Sequence, residues 1–266
     1  MRRILIPLFF CSIVTLLTSA CFALEFPYRE KYPEVKIIEV ADLKTGYDKE
    51  EVIVVDLRSK TEFAAIHIEG AINLPYGNLN FMDNLLDLIV KNPNKKIIVY
   101  DNGIDCLKCY RAAEDALYSM YTIYAFDAGI ENWARYSPTD TLVYGKTLSD
   151  PEAVNNLDNE FKKRSLDFEA FKTKAAVNNA VVIDARDPIQ RTKKLPGLEN
   201  AMLIPLDKLS ENIINKGNMK DKQLYIFDQL GKQVRWLMAN LVDQGYSDFF
   251  FLNGGATAVL KVQEYR

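Results

Sequence analysis

Two cysteines stand at Cys106-Leu107-Lys108-Cys109, and paired thiols at that spacing have three familiar chemical uses. Attachment of a c-type haem needs a histidine directly after the second cysteine; Tyr110 stands there, so haem is excluded. A structural zinc ion takes four ligands, and the sole histidine, His67, with carboxylates is a poor supply beside the pair. No metal and no cofactor is therefore expected. Thiol–disulfide chemistry remains, in two forms that the spacing leaves open: a structural disulfide clipping the start of a helix, or a reversible redox or persulfide-forming pair. Cys106 should sit where a loop enters a helix, with Cys109 one turn later on the same face. A thiol there gains from the helix dipole and from unpaired N–H groups, which lower its pKa. Lys108 and Arg111 add positive charge nearby, while Asp101 and Asp105 oppose it. His67 tempts a catalytic role; the reading preferred here is that it fixes a turn before Gly70.

The other two of the four cysteines, Cys11 and Cys21, fall in the N-terminal segment. Met1-Arg2-Arg3 is basic, Ile4 to Leu17 is apolar, and small residues Thr18, Ser19 and Ala20 follow, the pattern of a secretory signal. The apolar run is shorter than the roughly 20 residues that cross a bilayer. Two processing routes stand open. Cleavage after Ala23 removes residues 1–23 and releases a soluble protein; cleavage before Cys21 removes residues 1–20 and leaves Cys21 to carry a lipid. Leu17-Thr18-Ser19-Ala20-Cys21 is an imperfect lipobox, with Thr18 where Leu is usual. The expected location is the bacterial periplasm, or a lipid anchor in the cell envelope membrane. In that oxidising setting Cys106 and Cys109 are the only ordinary thiols of the mature chain.

The elements that must position these groups read as short β-branched runs alternating with longer amphipathic stretches, an α/β pattern. Val52 to Val55 is a buried strand ending at Asp56, and Lys96 to Tyr100 a second ending at Asp101. A helix from about Leu107 to Met120 and a strand over Thr122 to Phe126 follow. The order recurs: Val181 to Ile183 ending at Asp184, Leu224 to Phe227 ending at Asp228, a helix from about Val234 to Gln244, and a buried strand Phe249-Phe250-Phe251. Matching landmarks are offset by 128 (Asp56 to Asp184), 130 (Pro75 to Pro205), 127 (Asp101 to Asp228) and 125 (Gly129 to Gly254). Offsets this steady indicate an internal duplication. Residues 24–136 form the first unit. Residues 137–158 read as a linker, and 159–266 as a second, cysteine-free unit opened by a helix from about Asn159 to Lys174. Tyr118, Tyr121, Tyr124 and Phe126 read as core and sheet packing, and Lys193-Lys194 as a solvated pair.

The first half resembles the rhodanese family in Asp56-Leu57-Arg58-Ser59, Glu62-Phe63, His67 to Pro75, and the stretch Ile97 to Trp133 with its Gly129-x-x-x-Trp133. The second half is similar more loosely, in Asp184-Ala185-Arg186-Asp187, Leu195 to Ala201, Ile204-Pro205 and Leu252-Asn253-Gly254-Gly255. The resemblance implies two rhodanese-like domains in tandem, each an open, mostly parallel sheet flanked by helices. Asp56 and Arg58 then support the loops at the sheet's carboxyl edge. It also implies a sulfur-carrying cysteine directly after the central strand, cradled by backbone N–H groups. This chain has Asp101 there in the first half and Asp228 in the second, and a carboxylate cannot hold transferable sulfur. The second half is accordingly expected to be silent as a sulfur carrier. In the first half the loop is longer, and Cys106 is similar to a second cysteine found in extended loops of the family. Cys106 to Arg111 keeps the family's Cys-x-x-x-x-Arg spacing.

Two functions follow as expectations. In one, Cys106 is a sulfur-transfer or redox nucleophile, Cys109 resolves it, and Arg111 helps stabilise the anion. In the other, an inactive pair of domains serves as an accessory subunit of an envelope complex; electron transfer through the cysteine pair is a third, resting on location and spacing alone. The partners expected are a small sulfur compound or protein thiol, an envelope protein, and a membrane only through the lipid anchor. Nucleic acid is not expected, because the net charge is −3 and no Lys/Arg block makes a phosphate-tracking surface.

Overall fold

The structure is a computed structural model that describes residues 26–264 other than 105, 106 and 151. The secretory-signal reading of residues 1–23, with Cys11 and the lipidation candidate Cys21, lies outside the described residues. Among the described residues no helix is long and apolar enough to cross a membrane.

The first half runs β1 (Lys36–Ile37), α1 (Val40–Asp48), β2 (Val52–Asp56), α2 (Lys60–Ala65), β3 (Ile66–Ile68), β4 (Ile72–Asn73), α3 (Phe81–Lys91), β5 (Lys96–Tyr100), α4 (Lys108–Tyr118), β6 (Tyr124–Phe126), α5 (Gly129–Tyr136), β7 (Thr141–Val143) and β8 (Lys146–Thr147). The second half follows with α6 (Glu152–Arg164), β9 (Ser165–Leu166), α7 (Phe168–Lys174), β10 (Ala180–Asp184), β11 (Met202–Leu203), α8 (Leu206–Leu209), β12 (Gln223–Phe227), α9 (Gln233–Asp243), β13 (Phe249–Leu252) and α10 (Gly255–Glu264). Two five-stranded sheets result, and every pairing in them is parallel. Their strand orders are the same: β1-β6-β5-β2-β4 in the first and, read from the matching edge, β9-β13-β12-β10-β11 in the second.

Burial on both faces explains the near-continuous apolar strands. Val52, Val54, Ile98 and Tyr100 pack on one face of the first sheet, while Val55, Ile97 and Val99 pack on the other. The second sheet divides in the same way: Ile183, Ile226, Phe249 and Phe251 lie on one face, and Tyr225, Phe227 and Leu252 on the other. Phe250 is only half-buried, so that aromatic run alternates as a strand must.

Several expectations need correction. The stretch 137–158 is no bare linker: β7 pairs antiparallel with β3 and with β8 in a three-stranded sheet beside the first half. The helix expected over Asn159 to Lys174 is interrupted by β9. Ser165 Oγ donates to the Phe161 carbonyl at 2.8 Å where α6 ends, and Asp167 accepts from the Ala170 amide at 2.9 Å to start α7. Leu166 thus becomes an edge-strand residue paired with Leu252. Tyr118, the last residue of α4, and Tyr121 beyond it are exposed rather than core, whereas Phe126 is buried. His67 does not sit in a turn. It belongs to β3, stacks on Phe63 at 3.9 Å between ring centres, and donates from Nδ1 to the Phe63 carbonyl at 2.7 Å.

Candidate functional site

The carboxyl ends of β2 and β5 meet at Asp56 and Asp101, and a group of buried polar side chains gathers there. Arg58 donates to both oxygens of Asp56, from Nε at 3.0 Å and Nη2 at 2.6 Å. Neither side chain is exposed. Arg58 Nη2 also donates to the Ile66 carbonyl at 2.6 Å and Nη1 to Asn102 Oδ1 at 3.4 Å. Burial disfavours the charged guanidinium, but Asp56 outweighs it and raises the pKa. The same burial pushes the Tyr100 hydroxyl well above its ordinary value; it accepts from the Ile68 amide at 3.2 Å. The Asp56–Arg58 pair therefore ties β2 to β3 and to the loop after β5.

The loop after β5 spans residues 102–107. Asn102, 2% exposed, is bonded at both ends of its amide. Its Oδ1 accepts from Arg58 and, at 3.0 Å, from Trp236 Nε1; its Nδ2 donates to Glu62 Oε1 at 2.6 Å. Glu62 opens α2 in a capping box with Ser59 and is fully buried. Its Oε2 accepts from the Ser59 amide at 3.1 Å and from Gln233 Nε2 at 3.0 Å. Burial alone would raise its pKa, but Lys108 and Arg58, with the bonds from Asn102 and Gln233, hold it below the ordinary glutamate value. Glu62 is thus a buried carboxylate kept charged.

Asp101 is fully buried, and its Oδ1 accepts from the Gly103 amide at 3.3 Å. Behind it Gly129 adopts a left-handed φ of 63°, and a Cβ there would stand 2.5 Å from the Gly103 nitrogen and 2.6 Å from the Asp101 oxygen. Only glycine lets the start of α5 press against this loop.

The corresponding loop of the second half, residues 229–232, is two residues shorter. Asp228 is fully buried, and its carboxylate turns inward onto the loop's own amides. Oδ1 accepts from Gly231, and Oδ2 accepts from Gln233 at 2.6 Å and Val234 at 3.1 Å. A ring of N–H groups at a strand tip suits an anion; here the anion is a side chain of the ring itself. Burial nevertheless raises the Asp228 pKa above the ordinary aspartate value, outweighing the three amides. Arg186 repeats the Arg58 arrangement, donating to Asp184 from Nε at 2.9 Å and Nη2 at 2.7 Å. Gly255, with φ 61°, repeats Gly129: its Cβ would stand 2.6 Å from the Gly231 nitrogen and 2.7 Å from the Asp228 oxygen. The glycine matching Gly129 is therefore Gly255, an offset of 126 and not the 125 that pairs it with Gly254; the preceding Gly254 supplies the turn.

Of the thiol residues, Cys106 lies outside the described residues. Cys109 is fully buried on α4 in an apolar cluster with Val55, Leu57, Leu74 and Val99. Arg111 is exposed on α4. The cation nearer the site is Lys108, the first residue of α4, which acts on Glu62 and on Asp187 of the second half.

Reasoning along the sequence missed Glu62, Asn102, Gln233 and Trp236. A capping box, Ser59-x-x-Glu62, signalled the first as a helix start but not as a buried charge.

Residues 39–136 match the family model of the rhodanese-like domain. The uncharacterized protein YibN of Escherichia coli strain K12 is 29% identical over 102 residues, covering 38% of this chain and 68% of YibN. Among solved structures, the BH2092 protein of Bacillus halodurans is 26% identical with a TM-score of 0.38, covering 47% of this chain and 89% of its own. Thiosulfate sulfurtransferase of Pseudomonas aeruginosa is 16% identical with a TM-score of 0.36, covering 86% of this chain and 45% of its own.

Proposed function

We propose that this chain, with a rhodanese-like domain at residues 39–136, handles sulfur in its first half alone, through Cys106. The second half, in this reading, is a copy of the same fold that has given up its sulfur site. The observation that carries it is the Asp228 carboxylate, which takes the Gly231, Gln233 and Val234 amides that a sulfur anion would need. Two cysteines remain among the matched residues, and Cys109 is packed in an apolar core, which leaves Cys106 as the nucleophile.

The Cys106 thiolate attacks the outer sulfur of a sulfane donor such as thiosulfate. A bond forms between Sγ and that sulfur, the donor's S–S bond breaks, and sulfite leaves with the electron pair. An acceptor thiolate then takes the outer sulfur and regenerates the Cys106 thiolate, so no outside oxidant or reductant is consumed. The basic and apolar N-terminus supports export, to the periplasm or to a lipid anchor at Cys21. Thiosulfate-to-dithiol turnover by the mature chain tests the proposal: Cys106→Ser abolishes it and Cys109→Ser retains most of it. Turnover unchanged by Cys106→Ser overturns it.

A second reading has its own observation. Both strand-tip positions carry fully buried carboxylates, Asp101 and Asp228, which suits an accessory module without covalent sulfur chemistry. Thiol titration before and after mild reductant separates the two. Thiols that react only after denaturation favour the module; thiols that react readily or carry persulfide favour the enzyme.

A further inference from the structure

The second half does more than lie beside the first. Trp236, on α9, is 2% exposed and packs in the first half's own core, with Ile98, Tyr100, Phe126 and Trp133. From there its indole N–H reaches Asn102, the first loop residue beyond the strand-tip Asp101. One turn earlier on α9, Gln233 donates to Glu62, which in turn accepts from Asn102. Asp207 of α8 accepts from the Lys60 and Thr61 amides at 3.2 and 2.9 Å, pinning the first turn of α2 that carries Glu62. Arg235 lies over the Trp236 ring and bridges Glu131 of the first half, at 2.7 Å, to Asp158, at 2.8 Å.

Gln233 joins both loops. Its backbone N–H is held by Asp228 and its side chain by Glu62. The carboxylate that fills the second cradle is therefore also the anchor that fixes where α9 begins, and so where Gln233 and Trp236 reach.

We infer that α9 is a strut positioning the sulfur loop of the first half, with Gln233 and Trp236 as positioning residues and Asp228 as the anchor of the strut. Asp228 has exchanged one task for another: it holds a helix where a thiolate would hold sulfur. The inference rests on the proposed function for its meaning, since the loop so placed is the one that leads to Cys106. Its geometry involves neither Cys106 nor turnover.

The experiment uses the full mature chain and the variants Trp236→Phe, which keeps an aromatic ring but loses the indole donor, and Gln233→Leu. The rate of Cys106 alkylation by iodoacetamide is followed against pH by peptide mass spectrometry, with amide exchange across residues 102–104 as the second readout. Each variant should shift the alkylation rate or its pH midpoint by about three- to tenfold, the worth of one lost hydrogen bond, and speed exchange at 102–104. Arg135→Ala, on the exposed face of α5, should move neither. Unchanged alkylation profiles and unchanged exchange in both variants overturn the strut. If wild type shows no turnover while the variants still move both readouts, the sulfur proposal fails and the strut stands. Should Trp236→Phe fold poorly, Gln233→Leu decides alone.

Discussion

The two strand-tip loops share a frame and differ in what fills it. Both have an aspartate at the strand end, a buried Asp–Arg pair at the tip of the neighbouring strand, and a left-handed glycine pressed against the loop backbone. In the second half the loop is short and closes on Asp228, which consumes its amides. In the first half it is longer, and its opening residue, Asn102, is tied outward to Glu62, Arg58 and Trp236. One loop is closed by its own side chain and the other is held by its neighbour. Under the proposed function, the two halves keep a like scaffold while sulfur chemistry is confined to the first.

The comparison breaks most visibly at the buried ion pairs. Arg58→Ala and Arg186→Ala each leave a buried aspartate uncompensated and should cost about 3–5 kcal/mol in urea unfolding. Arg58→Ala should be the worse of the two, because Arg58 also reaches the loop through Asn102. Equal losses would mean that this link adds nothing.

Next in size is the anchor. Asp228→Ala strands three amides, two of them buried, and should cost about 1–3 kcal/mol. Asp228→Asn, which retains an acceptor of the same shape, should cost less. Equal melts for the two variants would deny that the amides depend on the carboxylate's oxygens.

The two loops should also answer pH with opposite signs. Glu62 titrates below its ordinary value in the fold, so its contribution is present above the ordinary value of 4.5 and is lost as pH falls through the lowered native pKa. Asp228 titrates above its ordinary 3.8, so its contribution is full below that value and is lost as pH rises through the raised native pKa. Glu62→Gln should flatten the acid limb of the stability curve, whereas Asp228→Asn should lift stability on the neutral side relative to the acid side. Parallel shifts in both variants would contradict these signs. The smallest effect belongs to Arg111→Ala, expected within about 0.5 kcal/mol because the residue is exposed.

Much of the frame was legible from residues alone. Val52 to Asp56 and Lys96 to Tyr100 announce their strands by β-branched runs, and Asp56-Leu57-Arg58 with Asp184-Ala185-Arg186 announces the paired tips. The partners of the first loop were not legible. Gln233 lies 171 residues from Glu62, and Trp236 lies 134 from Asn102. On α9 both fall in an amphipathic pattern that reads as the second half's own helix. Spacing placed Arg111 by analogy, but the helical phase of α4 turns it to solvent while Cys109 and Tyr110 turn inward. No local pattern distinguishes a strand-tip aspartate that serves a ligand from one that folds back on its own amides, as Asp228 does.

The central claim, that one half keeps sulfur and the other has filled its place, is tested most directly by mapping sulfur onto the intact chain. After incubation with thiosulfate, peptide mass spectrometry under non-reducing conditions should find one added sulfur on the Cys106 peptide, unaltered in Asp228→Asn and absent in Cys106→Ser. Sulfur that persists in Cys106→Ser, or a wild-type chain that takes up none, would contradict the account.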